Sequence, residues 1–364
     1  MKKKVVIGMS GGMDSAVAAG LLVRAGYDVR GVTLKLWDET GQESEKWLER
    51  TCCKVGLARH AADYYGIPLD IIDVRAPFRE TVVENFKSEY AAGRTPNPCV
   101  RCNALIKFEH LFVAAREAGA DFVATGHYAR ITRDPKNDST ALRSGTDTAK
   151  DQSYFLYRLA YKDLSRLLFP LGEMRKSEVR SIASELGIPM EEWGESQEVC
   201  FVTQESYSEF LEAEGVLQDR PGDIVSMSGK RLGEHIGFSR YTIGQRRGLG
   251  IAHARPLYVV AVEPDENRVI VGEEDALLCS RAGVSGLHWL LPDPPTAPIR
   301  VRAKIRYRHP GAEAIVEPDH PDEARVTFDI PQRAVAPGQS IVFYQDDTVI
   351  GGGIIDMDRR GGGG

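Results

Sequence analysis

Two stretches carry residue types that could do chemistry. The first is Gly8-Met9-Ser10-Gly11-Gly12-Met13-Asp14-Ser15, set between an apolar run and a helical pattern. Its three glycines let the backbone turn with positive φ and come close to a ligand. The exposed N–H groups and the helix start then form an anion site, to which Ser10 and Ser15 add hydroxyl donors. No Gly-Lys-Ser/Thr ending follows, and the G-x-G-x-x-G spacing is missing. Without a lysine to hold β- and γ-phosphates, the loop suits gripping pyrophosphate while an α-phosphate is attacked. The second stretch is Thr95-Pro96-Asn97-Pro98-Cys99-Val100-Arg101-Cys102-Asn103. Its prolines keep 95–98 extended. Asn103 is a good cap for a helix starting about Leu105. Cys102 would then stand just before that N-terminus, where the dipole favours a thiolate. A further cysteine, Cys200, stands alone in Glu195-Ser196-Gln197-Glu198-Val199-Cys200-Phe201-Val202.

These cysteines admit several readings. Two thiols can run sulfur chemistry, one carrying a persulfide and the other attacking it to leave a disulfide. Cys52, Cys53, Cys99 and Cys102 could form a four-thiolate zinc site, although adjacent Cys52-Cys53 is poor spacing for one. Cys99, Cys102 and Cys200 could hold an iron–sulfur cluster with one open iron. Buried small-hydrophobe behaviour suits Cys279 and Cys53.

The elements that must position these residues follow from periodicity. Lys4–Met9, Val29–Leu36, Leu69–Val74 and Phe122–Thr125 read as strands; Ser15–Ala25, Val55–Tyr65, Phe78–Ala91, Leu105–Ala118 and Lys176–Leu186 read as helices. Such alternation predicts an α/β domain with a parallel sheet. Beyond about residue 210, turn signals crowd between short β-rich runs, Leu257–Val262, Val269–Val271, Arg300–Tyr307, Ala324–Phe328 and Ser340–Tyr344. They predict two small β-barrel-like domains. The expected division is 1–208, 209–280 and 281–360, with a glycine tail at 361–364. The Pro-rich stretch Leu291-Pro292-Asp293-Pro294-Pro295 reads as a turn or linker.

The 364 residues are 42% hydrophobic and 27% charged, which excludes disordered and fibrous classes. No apolar run approaches the ~20 residues of a membrane helix. Met1-Lys2-Lys3-Lys4 is followed by too short an apolar run for a signal peptide, so a cytoplasmic protein with reduced cysteines is expected. The net charge of −6 argues against a bulk basic nucleic-acid binder. Residues 1–204 are neutral, with 28 basic and 28 acidic residues; residues 205–364 hold 18 and 24. Nucleic acid must therefore be met by local patches. One candidate is the alternation of Arg300, Arg302, Lys304, Arg306 and Arg308 with Val301, Ala303, Ile305 and Tyr307. On a strand this sets five cations on one face, matched either by a phosphate backbone or by acidic strands alongside. Gln245-Arg246-Arg247-Gly248 is a second basic turn.

The loop Ser10–Ser15 resembles the signature of PP-loop ATP pyrophosphatases. Joined to Asn97-Pro98-x₃-Cys102-Asn103, Lys150-Asp151-Gln152-Ser153-Tyr154-Phe155-Leu156 and Ser196-Gln197-x₂-Cys200-Phe201, it makes the chain resemble the tRNA-specific 2-thiouridylase family along nearly its whole length. The resemblance implies an ATP-dependent sulfurtransferase that adenylates the 2-oxo group of the wobble uridine in a tRNA anticodon loop, then replaces it with sulfur. It implies ATP with Mg²⁺, the latter near Asp14, and a persulfide donor protein, either a cysteine desulfurase or a sulfur relay protein. No resident metal site is implied. By motif match, Cys200 carries the persulfide and Cys102 frees sulfur from it. Gly8, Met9, Ser10, Gly11, Gly12, Met13, Asp14, Ser15, Leu34 and Gly126 would meet the nucleotide. Asn97, Pro98 and Cys99 would meet the target base, and His127, Lys150, Asp151, Gln152, Tyr307, Arg308 and Gln339 the tRNA. Many members have Asp where this chain has Cys99. From the residues alone, His127 could also be a hydrogen-bonded histidine at a sheet edge. Two alternatives stay open: a cluster-dependent version of the same thiolation, and another PP-loop ligase adenylating a carboxylate or carbonyl. A non-catalytic RNA binder is a further rival.

Overall fold

The computed structural model describes residues 2–37, 55–135, 138–185, 199–202, 207–217 and 220–356. Cys52, Cys53, Glu195–Glu198 and the Gly361–Gly364 tail lie outside the described residues.

Five parallel strands make the first sheet: β1 (Lys4–Gly8), β2 (Asp28–Lys35), β3 (Leu69–Asp73), β4 (Phe122–Ala124) and the short β7 (Leu167–Leu168), in the order β3-β2-β1-β4-β7. Alternation along β1 explains its place at the centre. Val5 and Ile7 enter one core, Val6 the other, and all three are fully buried. A strand apolar on both faces needs helices on both. On the Val5/Ile7 side lie α1 (Met13–Arg24), α2 (Val55–Tyr65) and α5 (Lys176–Glu185). The alanines of α1, Ala16, Ala18 and Ala19, are small enough for it to lie close on the sheet. On the other side lie α3 (residues 75–91) and α4 (residues 98–117), led by Phe78, Phe86 and Phe108. The chain leaves β1 toward β2 on one flank and returns to β4 on the other. The crevice beyond the carboxyl ends of β1 and β4 is thus the topological switch point, where open α/β sheets bind ligands.

A hairpin that the periodicity did not announce, β5 (Ala129–Arg133) and β6 (Thr140–Ser144), leaves this domain and pairs with the last β unit. The middle unit is a four-stranded sheet of β8 (Gly222–Ser226), β9 (Arg231–His235), β10 (Tyr258–Glu263) and β11 (Arg268–Gly272). A short helix, α6 (Tyr207–Ala213), precedes it. The last unit comprises β12 (Leu278–Trp289), β13 (Ile299–Lys304), β14 (Ala312–His320), β15 (Glu323–Arg333), β16 (Ser340–Gln345) and β17 (Thr348–Asp356). The added β12–β17 pairing closes these six into an antiparallel barrel. The Pro-rich stretch is its β12–β13 loop.

Three sequence expectations are corrected here. The helix expected from Leu105 begins at Pro98, because proline is well suited to a first helical position and Asn97 supplies the cap. The cationic strand stops at Lys304, so Arg306 and Arg308 lie beyond it. Cys279 is exposed, its thiol donating to the Arg281 carbonyl at 3.1 Å, because β12 begins on an unburied face.

Candidate active site

The glycine loop is held by its own atoms. Met9 N–H bonds the Val32 carbonyl at 2.8 Å, and the Thr33 hydroxyl donates to the Met9 carbonyl at 2.8 Å. Gly11 takes a positive φ of 76°. The Ser15 hydroxyl donates to the Gly12 carbonyl at 2.8 Å and accepts from Ser10 N–H at 3.2 Å. It is therefore a brace, not the free donor expected. Gly12 caps α1 without a side-chain bond, which leaves orphan N–H groups for an anion. Gly8, Met13 and the other loop residues thus form a cradle that fits a polyphosphate.

Asp14 departs from its expected part. Its carboxylate accepts from Lys176 Nζ at 2.7 and 2.8 Å and from the Tyr128 hydroxyl at 2.8 Å. A cation held by this carboxylate would first have to displace Lys176. Lys176 itself is 7% exposed at the first turn of α5, and its N–H is capped by Asp147 at 2.9 Å. Sequence reasoning missed both Lys176 and Tyr128. A lysine opening a helix is unfavourable for the dipole, and that was the signal available for Lys176. Gly126 packs directly on the loop: a Cβ there would lie 2.9 Å from the Asp14 backbone. Leu34 is buried near the carboxyl end of β2.

The sulfur end lies on α4. The Asn97 side chain accepts from Val100 N–H at 3.3 Å and lies close to the Tyr154 hydroxyl. Cys99 and Cys102 are three apart and share a helix face. Cys102 is 3% exposed in the second turn, not ahead of the N-terminus, so the expected dipole activation of its thiol does not hold. Burial, with the nearby Cys200 thiol, pushes Cys99 up to about 11, while Lys107 pulls the other way. Cys200 and Lys107 both lie within electrostatic reach of Cys99. A wide π turn, Asn103–Lys107, follows Cys102; such bulges re-aim side chains at functional sites, and here Lys107 comes round toward the thiols. Cys200 is half-buried on a turn pinned by Phe201, whose ring meets Phe86 at 5.2 Å, Phe210 at 5.3 Å and Phe78 at 5.7 Å. Cys99 and Cys279 are free thiols. Among the described residues, no three His, Cys, Asp or Glu side chains gather as metal ligands.

His127 shares a 2.7 Å hydrogen bond between Nδ1 and the Thr125 hydroxyl and stacks on Phe108 at 5.9 Å. Burial, then Lys107, lowers its pKa to about 3, so it is neutral near pH 7.

The remaining expected RNA contacts divide. Asp151 is 5% exposed and accepts from Gly145 N–H, Ser153 N–H and the Ser153 hydroxyl at 3.0–3.1 Å. Gln152 accepts from Tyr128 N–H at 3.0 Å. Both carry internal bonds that shape the turn after the half-buried Lys150. Tyr307 packs on Phe155 at 4.5 Å, and Arg308 is exposed beside it. Gln339 follows Pro337, whose carbonyl accepts from Thr95 N–H at 2.8 Å, so barrel and cysteine stretch adjoin. The strand cations are internally matched: Arg300 with Asp329 at 2.7 Å, Lys304 with Asp151 at 3.5 Å, and Arg302 with the Asp346 carbonyl at 2.9 Å. Arg300 and Lys304 thus have acidic neighbours, while Arg306 and Arg308 are exposed beyond the strand.

Three family models match in succession: "tRNA methyl transferase HUP domain" over residues 3–204, "tRNA methyl transferase PRC-barrel domain" over 208–273 and "Aminomethyltransferase beta-barrel domain" over 281–355. Among curated relatives, the tRNA-specific 2-thiouridylase MnmA of Acetivibrio thermocellus is 43% identical over 97% of this chain and 99% of its own length. Those of Geotalea uraniireducens and Magnetococcus marinus are each 46% identical, over 98% and 97% of this chain and 95% and 99% of their own. Likeness of this degree, sustained from one end of the sequence to the other, makes the chain a member of the tRNA-specific 2-thiouridylase family.

Proposed function

We propose that this protein uses ATP to adenylate the 2-oxo group of the wobble uridine of tRNA, then exchanges that oxygen for sulfur carried as a persulfide on Cys200. The observation that carries the reading is the run Thr125–Tyr128. At one end Tyr128 bonds Asp14 of the phosphate cradle; one residue earlier His127 stacks on Phe108 of α4, the helix that carries Cys99 and Cys102. A strand-end segment of four residues thus runs from the anion cradle to the cysteine-bearing helix, which supports an adenylated base lying near that helix.

In this reading the chain's residues divide the work. The uncapped N–H groups of α1 bind phosphate. Lys176, now on Asp14, is within the cradle to neutralise charge as pyrophosphate forms. Mg²⁺, when it accompanies ATP, would supply further charge neutralisation. Neutral His127 orients by hydrogen bonding and does not trade a proton near pH 7. The uridine oxygen bonds the α-phosphorus as the pyrophosphate bond breaks. The Cys102 thiolate then attacks the inner persulfide sulfur on Cys200, which forms the Cys102–Cys200 disulfide and frees hydrosulfide. Hydrosulfide adds at C2, and AMP leaves with the original oxygen and the electron pair of its bond. A dithiol reductant returns the disulfide to two thiols, and a persulfide donor protein reloads Cys200. The target base meets Asn97, Pro98 and Cys99, with Tyr307, Arg308, Gln339 and Lys150 around it. Splaying a base from a single-stranded loop costs about a few kcal/mol.

The test is a comparison of partial reactions. C102S and C200S are expected to release pyrophosphate from ATP when tRNA is present and to form no thiolated tRNA. Full thiolation by either variant would overturn the assignment of its sulfur. Absence of tRNA-dependent pyrophosphate release in the unaltered protein would overturn the adenylation step.

A further inference from the structure

We propose that the loop 244–256 of the middle unit is a separate RNA contact that grips phosphodiester backbone beyond the target base. The inference rests on the tRNA reading above, but on residues that reading does not use. In the barrel strand, the stronger basic signal in the sequence, Arg300 and Lys304 are paired with the carboxylates of Asp329 and Asp151, and Arg302 donates to the Asp346 carbonyl. The loop differs. Residues 235–262 hold four arginines and no carboxylate, within a half of the chain whose net charge is −6. Arg240 is paired with Glu212 and Arg255 with Glu273. Arg246 and Arg247 are exposed and have no carboxylate within ion-pair distance among the described residues.

These two arginines are presented by a built turn. Gln245 Oε1 accepts from Thr242 N–H at 3.1 Å, and its Nε2 donates to the Arg247 carbonyl at 3.0 Å. Gly244, Gly248 and Gly250 take φ values of 89°, 76° and 66°. Leu249, 6% exposed, anchors the tip in the middle unit's core. Behind the arginines the loop encloses an open recess of about 690 Å³ lined by Leu249, Ile251, His253 and Arg255. No Phe, Tyr or Trp occurs from 242 to 257, and the one aromatic ring in the loop is that of His253, so charge is its main offer to RNA. Unpaired guanidinium groups on a rigid turn suit phosphate oxygens, bidentately and without regard to sequence.

The loop also borders the path from the site. A Cβ on Gly244 would lie 3.1 Å from Ala334. Arg306 donates to the Arg333 carbonyl at 3.3 Å, and three residues beyond Ala334 the Pro337 carbonyl bonds Thr95. RNA entering at Asn97 would run past Gln339, Arg308 and Arg306 toward Arg246 and Arg247.

The test is tRNA binding by the full chain against salt, with R246A/R247A and the charge-keeping R246K/R247K. Two lost phosphate contacts lower the slope of log K on log salt by about 1.8, so between about 50 and 200 mM salt the alanine variant should lose about 12-fold less affinity than the unaltered protein. The lysine variant should keep the steeper slope. An alanine variant with unchanged affinity and slope overturns the loop contact and leaves the function standing. Failure of the unaltered protein to bind tRNA overturns both.

Discussion

At the residue scale, burial decides what the ionisable groups can do. His127 holds a proton less tightly in the folded chain than in the unfolded one, since its pKa falls from 6.5 to about 3. Between those values the unfolded state binds more protons, so stability is complete above about pH 6.5 and declines as pH falls toward 3. Denaturant titrations across that range should show the decline, and His127→Gln should make it shallower; an equal slope in the variant would contradict the burial account. Cys99 runs the other way, from 9.0 up to about 11. Its contribution to stability is present at neutral pH and lost as pH rises through that interval. It also stays a thiol at pH 8, whereas Cys279 is exposed. Iodoacetamide at that pH should label Cys279 well before Cys99 by peptide mass spectrometry, and the reverse order would place Cys99 in a different environment.

At the scale of elements, the parallel sheet, the phosphate loop and the start of α1 were legible because strand and helix periods and the glycine string are local signals. What escaped has physical reasons. Pro98 and Asn97 form a cap and first turn that the pair of prolines disguised as extended chain. The π turn at Asn103–Lys107 leaves no periodic trace, yet it sets Lys107 by the thiols. The β5–β6 hairpin borrows its partner from β17, some two hundred residues on, which no local pattern reveals. Lys176 and Tyr128 reach Asp14 from far along the chain. The β4 end fits closely on the start of α1. Gly126→Ala would set a Cβ 2.9 Å from backbone at Asp14 and Ser15. Overpacking of this kind costs about 1–3 kcal/mol. The KM for ATP should rise, roughly tenfold for each 1.4 kcal/mol that falls on the bound form, and an unchanged KM would show that the loop yields freely.

At the scale of the whole molecule, the barrel is welded to the α/β domain. The buried Tyr154 hydroxyl donates to the Ser340 carbonyl at 2.8 Å, and the Tyr157 hydroxyl to the Gly353 carbonyl at 3.1 Å. Gly352 makes room for the Tyr157 ring, since a Cβ there would lie 2.8 Å from it. Arg130 and Arg143 both bind Asp347. Calorimetry should therefore find the two units unfolding in one transition. Removing the hydroxyls in Y154F/Y157F deletes two buried hydrogen bonds between the units, at about 0.5–1.5 kcal/mol each, which should lower that transition; two resolved transitions in the unaltered protein would contradict the weld. Such rigidity keeps Tyr307 and Gln339 at fixed positions beside Asn97. It also explains why residues from opposite ends of the sequence can share one site.

Mass spectrometry of the tRNA anticodon loop, after incubation of the protein with ATP and a persulfide donor, tests the central claim most directly. The account predicts a mass gain of sulfur for oxygen on the wobble uridine, dependent on ATP and lost in C200S. A fully active protein that leaves this base unchanged, or that thiolates it without ATP, would contradict it.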